Sequence, residues 1–282
     1  ALIFEYALNM VANFLNLKAL KPEAPAELSA VYDPIEYRRS QDYTRTTTRF
    51  GLVVVTFKLG ILLTFWFAGG FNWVDGILRD QGFPAIIDGL LFIGVLLLGY
   101  LVLMLPFGIY STFVIEEKFG FNKTTPNTFV IDQMKGLALL IIIGGPLLAG
   151  ILGFFEYAGS LAWLYCWAVA TLFTIGLQFV APIWIMPLFN KFTPMESSEL
   201  KDSILKYIRS VDFTVDNILL MDGSKRSDKS NAFFTGFGRH KRIALFDTLV
   251  EKHTDSELVA VLAHEVGHYK QGHIIQSLVI SI

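Results

Sequence analysis

Three long runs without a single Asp, Glu, Lys or Arg limit what this chain can fold into: Leu90–Ile115, Leu137–Phe155 and Tyr157–Asn190. A helix crosses the hydrocarbon layer of a bilayer with about 20 apolar residues, so each run is long enough to span. Gly51–Phe71 is a fourth, with Lys58 as its only charge, placed where its long stem can carry the ammonium toward the headgroups. Several such helices in one chain of 282 residues are hard to bury without lipid. Composition agrees: charged residues are 17%, against about 25% in soluble domains, and mean hydropathy is +0.51.

The same numbers exclude several classes. A net charge of −2 offers no basic surface to a nucleic-acid backbone, so no nucleic-acid partner is expected. A single cysteine, Cys166, rules out an intramolecular disulfide framework and a cysteine-based zinc cluster; inside an apolar run it reads as a packing residue. Aromatic residues at 14% exclude disorder. Trp66, Trp73, Trp163 and Trp184 lie near span ends and read as interface anchors.

Both ends read as interrupted spans. Leu2–Leu17 is an apolar run with Glu5 inside it and no signal-peptide features, and Ile274–Ile282 is an apolar run at its beginning. The expectation is a fragment: residues 1–190 as a transmembrane region of about five spans, the first incomplete, and residues 191–282 as a second domain cut inside the next span. Lys and Arg alternate between rich and poor connections. Six lie in Lys18–Arg49, one between the second and third spans, three in Glu116–Gly136, none at Glu156 and twelve in Lys191–Lys270. By the positive-inside rule the long polar segment is cytoplasmic.

That segment patterns as a small α+β module. Leu200, Ile204, Leu205, Ile208 and Val211 follow a helical period, and Ile218–Met221 reads as a short strand. Gly223–Lys229 reads as a polar loop, its Lys225, Arg226 and Lys229 solvated rather than set on lipid phosphates. Asn231–Phe237 and Arg242–Phe246 read as a hairpin turning at Gly236, Gly238 and Arg239–Lys241. Thr254 and Glu257 form a capping box that opens a helix with Leu258, Val261 and Leu262 on its apolar face. The expected fold class is therefore mainly α, a polytopic transmembrane helical bundle with this module attached.

The capped helix carries His264–Glu265–Val266–Gly267–His268, an H-E-x-x-H pattern. Residues four apart share a helical face, so both imidazoles reach one metal ion. Glu265 stands beside them as general base for an attacking water. Zinc suits two imidazoles with a third protein ligand and one open position. The reading is a zinc metallopeptidase domain with Zn2+ as cofactor, one ion per chain. An edge strand beside such a helix can take an extended peptide as an added strand, and Asn231, Ala232, Phe233 and Phe234 are the natural candidate. His273 misses the longer H-E-x-x-H-x-x-G-x-x-H pattern by one residue, since Gln271 and Ile274 stand where Gly and His would be needed. On a continuous helix it would face away from His264, so it reads as an interfacial or supporting residue. Asp247, Glu251, Asp255 and Glu257 are poorly placed as third ligand, which is expected beyond Ile282.

The sequence resembles the type I CAAX prenyl proteases, integral-membrane zinc endopeptidases, and their bacterial relatives. The resemblance rests on H-E-V-G-H (His264–His268), S-N-A-F-F-T-G-F (Ser230–Phe237), K-R-I-A-L-F-D-T-L (Lys241–Leu249) and M-D-G-S-K-R-S (Met221–Ser227). Two further blocks are Y-R-R-S-Q-D-Y-T-R (Tyr37–Arg45) and I-E-E-K-F-G-F-N-K-T-T (Ile115–Thr125). It implies seven transmembrane helices around a large water-filled chamber, with zinc held by His264, His268 and a Glu on a later helix. Glu265 becomes the base and Asn231–Phe234 the substrate strand. It implies removal of the C-terminal tripeptide from prenylated C-a-a-X proteins at the lipid bilayer, or cleavage of another membrane-associated peptide. The setting would be the bacterial inner membrane, which the blocks favour slightly, or the endoplasmic reticulum membrane in a eukaryote. Two rivals are weaker. A membrane-protein quality-control zinc protease would carry fewer spans before its motif. A transporter with a chance H-E-x-x-H, suggested by Pro106, Gly144–Gly145–Pro146, Pro182 and Pro187, would place more charge within its spans.

Overall fold

In the computed structural model the described residues are 1–28, 30–235 and 241–281. They divide into two units, Ala1–Gly120 and Phe121–Ile282.

The first unit is helical. Helix α1 (Leu2–Ala19) is followed by α2 (Pro34–Phe67), α3 (Gly70–Arg79) and α4 (Ala85–Glu116). Asp33 caps α2, its Oδ1 accepting the amides of Ile35 at 2.8 Å and Glu36 at 3.0 Å, and Pro34 opens the first turn, where its missing N–H costs nothing. A helix of 34 residues is about 51 Å long, well beyond the ~30 Å hydrocarbon core. The half that carries Arg38, Arg39, Arg45 and Arg49 therefore has room outside the lipid while Gly51–Phe67 crosses it. The span reading to Phe71 overshoots, because the chain turns at Gly69 with φ 76° and restarts as α3. Tyr43 donates to Glu116 at 2.5 Å, Arg39 donates to the carbonyl of Phe119, and the rings of Tyr43 and Phe119 meet edge to face at 5.2 Å. Two blocks separated by about 70 residues of sequence thus meet in this unit. Lys58 lies over the Tyr100 ring, 5.4 Å from its centroid.

The second unit opens with α5 (Pro126–Tyr157) and α6 (Gly159–Phe189). Among the described residues these, with α2 and α4, are the helices long and apolar enough to cross a membrane, and no residue of their apolar windows is fully buried inside the protein. The prolines do not break them. Instead α4, α5 and α6 each contain a π-helical segment close to a proline: Ser111–Glu116 after Pro106, Leu140–Gly144 before Pro146, and Ala181–Ile185 around Pro182. Cys166 is buried in α6 with its thiol toward the Ile151 carbonyl, as expected of a packing residue.

The rest of this unit is the α+β module. Strands β1 (Phe192–Pro194), β2 (Asn217–Met221), β3 (Ala232–Thr235) and β4 (Arg242–Phe246) form one sheet in the order β1-β2-β4-β3. The β2–β4 pair is parallel and the outer two pairs are antiparallel. Helices α7 (Glu199–Ser210), α8 (Asp247–Lys252) and α9 (Asp255–Lys270) belong to the same module, followed by α10 (His273–Ser281). Leu200, Ile204 and Ile208 of α7 and Leu258, Leu262 and Val266 of α9 are buried with Ile243 and Leu245 of β4 in one core. Leu205, Val211 and Val261 pack at its margin. The 3.6-residue period predicted these faces.

The basic loop differs from its solvated reading. Arg226 makes a two-pronged contact with Asp132 of α5, at 2.7 and 2.8 Å, and donates to Asn190 Oδ1 at 2.6 Å. Both members of the ion pair are 22% exposed. The Arg226 carbonyl also accepts from the Lys123 amide and the Thr124 hydroxyl, each at 3.0 Å. The loop after β2 is thereby fastened to α5 and the segment just before it.

Candidate active site

Helix α9 begins as predicted. Glu257 Oε2 accepts the backbone amide of Thr254 at 2.8 Å, closing the capping box, and these hydrogen bonds hold the Glu257 carboxyl below its ordinary range. Leu258, Leu262 and Val266 anchor one side of the helix in the core. With that side fixed, His264 and His268 emerge exposed on another, and Glu265 is half-buried between them in sequence. The two imidazoles converge: their Nε2 atoms are 2.9 Å apart, with ring centroids at 4.5 Å and planes at 78°. Two nitrogens aimed at one point one helical turn apart suit a shared cation, and neutral imidazole is the preferred nitrogen ligand for zinc. The residues therefore fit the implied metal as a pair. Among the described residues no group of three or more His, Cys, Asp or Glu assembles around them.

Two of the upstream carboxylates, Asp247 and Glu257, are committed elsewhere. Asp247 accepts the Ser224 amide at 2.9 Å and the Thr248 amide at 2.8 Å, besides the Ser224 hydroxyl. Glu257 serves the cap. Asp228, held below its ordinary pKa mainly by its hydrogen bond from Lys252, lies in the loop before β3.

Strand β3 is an edge of the sheet, with β4 on its one paired side. Ala232 pairs with Leu245, Phe233 with Ala244, Phe234 with Ile243 and Thr235 with Arg242. Asn231 precedes the strand, and its carbonyl accepts the Phe246 amide at 3.0 Å. The hairpin reading holds in its antiparallel pairing, while residues 236–240, on which its turn falls, lie outside the described residues. Helix α9 packs against β3. The link is aromatic: Tyr269, next to His268, lies 6.3 Å from Phe234 and 5.2 Å from Phe213, ring centre to ring centre. Lys241 Nζ sits over Phe213 and Tyr269 at 4.3 and 4.5 Å. The motif helix and the proposed substrate strand thus share one packing cluster, which spacing alone did not reveal.

The expected position of His273, on the helical face away from His264, is corrected by the structure. The helix does not continue to it. Helix α9 ends at Lys270, Gln271 caps it, and Gly272 takes the left-handed conformation at φ 67°. The new helix direction brings His273 Nδ1 to 2.7 Å from His268 Nδ1. A Gly just after the last periodic residue, with Lys in the last turn, is the sequence signal for this stop.

Residues 13–191 match the family described as CAAX prenyl protease N-terminal, five membrane helices, and residues 194–282 match peptidase family M48. The probable CAAX prenyl protease 1 of Schizosaccharomyces pombe is 37% identical over 93% of this chain and 58% of its own length. The CAAX prenyl protease 1 of Saccharomyces cerevisiae is 36% identical over 94% of this chain and 61% of its own. The chain thus spans about 60% of the length of these curated relatives. The crystal structure of S. mikatae Ste24p superimposes with a TM-score of 0.92 at 35% identity, covering 99% of this chain and 67% of that one. The matches agree with the blocks at both ends of the sequence and with the fold, and this multi-pass membrane protein belongs to the CAAX prenyl protease 1 family of M48 peptidases.

Proposed function

We propose that the protein is a zinc metalloendopeptidase that cleaves the C-terminal tripeptide from prenylated proteins. The observation that carries the reading is the convergence of His264 and His268 Nε2 at 2.9 Å on a helix packed against an edge strand. His264 and His268 would hold the ion, with a third ligand, a Glu, beyond Ile282. Zinc supplies Lewis acidity there, polarising a scissile carbonyl and making water a better nucleophile near neutral pH. Glu265 takes the proton from the attacking water and returns it to the departing amine. Strand β3, with Asn231, Ala232, Phe233 and Phe234, receives the peptide in extended form, its free edge supplying main-chain hydrogen bonds. Residues 1–190 would serve as the membrane region and 191–282 as the peptidase module, and the alternation of Lys and Arg supports a cytoplasmic position for the module. The named relatives are eukaryotic, which supports the endoplasmic reticulum membrane as the setting.

The test uses the full-length protein in detergent, the Glu265→Ala variant, and a farnesylated C-a-a-X peptide beside an unprenylated control. About one zinc per chain, with cleavage lost in the variant, is the expected result. Absence of bound metal would overturn the reading. Cleavage retained by Glu265→Ala would remove that residue from the proposed role.

A further inference from the structure

A histidine that binds a metal through Nε2 carries its proton on Nδ1, and whatever accepts that proton fixes both the tautomer and the plane of the ring. Both nitrogens of His268 face another imidazole. Its Nε2 faces His264 at 2.9 Å, and its Nδ1 faces His273 Nδ1 at 2.7 Å, with the two rings 4.9 Å apart at 65°. His273 therefore stands behind His268, against the nitrogen turned away from His264.

On an unbroken helix five residues subtend about 500°, which would put His273 some 140° around the axis from His268. The contact exists because α9 stops. Gln271 N donates to Gly267 O and Gly272 N to Tyr269 O, both at 3.0 Å, and Gly272 at φ 67° redirects the chain into α10. A side chain at position 272 would be strained in that conformation.

From this geometry we propose that His273 is a positioning residue for the metal site: its Nδ1 accepts the Nδ1 proton of His268 and leaves the His268 Nε2 lone pair bare and aimed at the point shared with His264. This rests on the metallopeptidase reading above and adds a residue that the H-E-x-x-H pattern does not contain. Gly272 is part of the device, since it sets the direction from which His273 approaches.

The experiment measures zinc affinity of the full-length protein in detergent by competition with a chromophoric chelator, and records the visible spectrum of the cobalt-substituted form. His273→Ala is expected to raise the zinc Kd about 10–100-fold, the usual effect of losing a group behind a ligand. His273→Asn, whose Oδ1 can occupy the place of Nδ1, should recover most of the loss and restore the cobalt band. His273→Gln, whose carbonyl reaches farther, should not. Far-UV circular dichroism establishes that each variant is folded, and the Asn-against-Gln contrast decides the matter even where Ala destabilises. A wild-type Kd in folded His273→Ala overturns the inference, as does equal weakening by Ala and Asn, which would mean a merely structural role. His264→Ala separates this failure from failure of the parent reading. Zinc binding unaffected by His264→Ala, or absent from the wild type, overturns the metallopeptidase assignment and this inference with it. Loss in His264→Ala with no change in His273→Ala overturns this inference alone.

Discussion

The spans and the peptidase module contain the same aliphatic side chains and bury them in different solvents. Along α2, α4, α5 and α6 the apolar windows reach mean hydropathies of 1.8 to 2.6, yet no residue of those windows is fully buried within the protein. Leu172 of α6 is 68% exposed and Ile142 of α5 is 69% exposed. In the module Ile204, Ile243, Leu245 and Leu262 are all at 0%. In the spans, hydrophobicity is a requirement of the surroundings and shows no face. In the module it is a requirement of the core and shows a period. Hydrophobicity summed over a window therefore identifies the spans, and only its spacing identifies the module.

The largest test of that contrast is a pair of matched truncations. Leu262→Ala should cost about 2–5 kcal/mol in a denaturation experiment, through lost transfer energy and the cavity left in a closed core. Leu172→Ala, facing outward from a span, should cost less than about 1 kcal/mol, because lipid refills the space; equal losses would break the comparison. The charge version runs the other way. Leu172→Lys should oppose membrane insertion by up to about 2.5–3.5 kcal/mol in an insertion assay, whereas a charge at an exposed position of the module costs within about 0.5 kcal/mol.

Next in size is the Arg226–Asp132 bridge, which joins the two environments. Arg226→Ala strands a largely buried carboxylate, and a loss of about 1–3 kcal/mol is expected, below the 3–5 of a fully buried pair because some solvent still reaches it. Asp132→Leu with Arg226→Met should recover part of this in a double-mutant cycle. Additive single losses would show that the two residues act separately.

The smallest effect belongs to the module's exposed carboxylates. Glu257 and Asp228 have folded-state pKa values below their unfolded ones. Their contribution is complete above the unfolded values near 4, lost as pH falls through the depressed folded values, and absent below both. Melting of the module followed by circular dichroism should weaken in that acid window, and Glu257→Gln should flatten the response. An unchanged pH profile in Glu257→Gln would remove the cap from the account.

The sequence made legible what depends on spacing: the spans, the α7 and α9 core faces, the capping box and the His264–His268 pair. It concealed what depends on where the chain turns. The placement of His273 on the face away from His264 assumed an unbroken helix, and a single left-handed residue at Gly272 overturned that placement. Arg226 was read from its polar neighbours as solvated because its partner lies 94 residues earlier, beyond any local pattern. The stop of α2 at Phe67 was hidden for a similar reason, since Gly69 sits within a stretch that is apolar on both sides. Tyr269 and Phe213 come together only in the folded module, so no periodicity announced the cluster beside β3.

The bridge to Asp132 also has a history during synthesis. A ribosome adding 5–20 residues per second needs roughly 5–20 s to travel from the aspartate codon to the arginine codon. Through that interval α5 must be accepted by the bilayer with its carboxylate still unmatched. Its location, in the second turn after Pro126, keeps it near water or headgroups while it waits. The clasp can close only after α6 and strands β1 and β2 have been made. The latch is therefore fastened by the later-made module onto a helix made well before it.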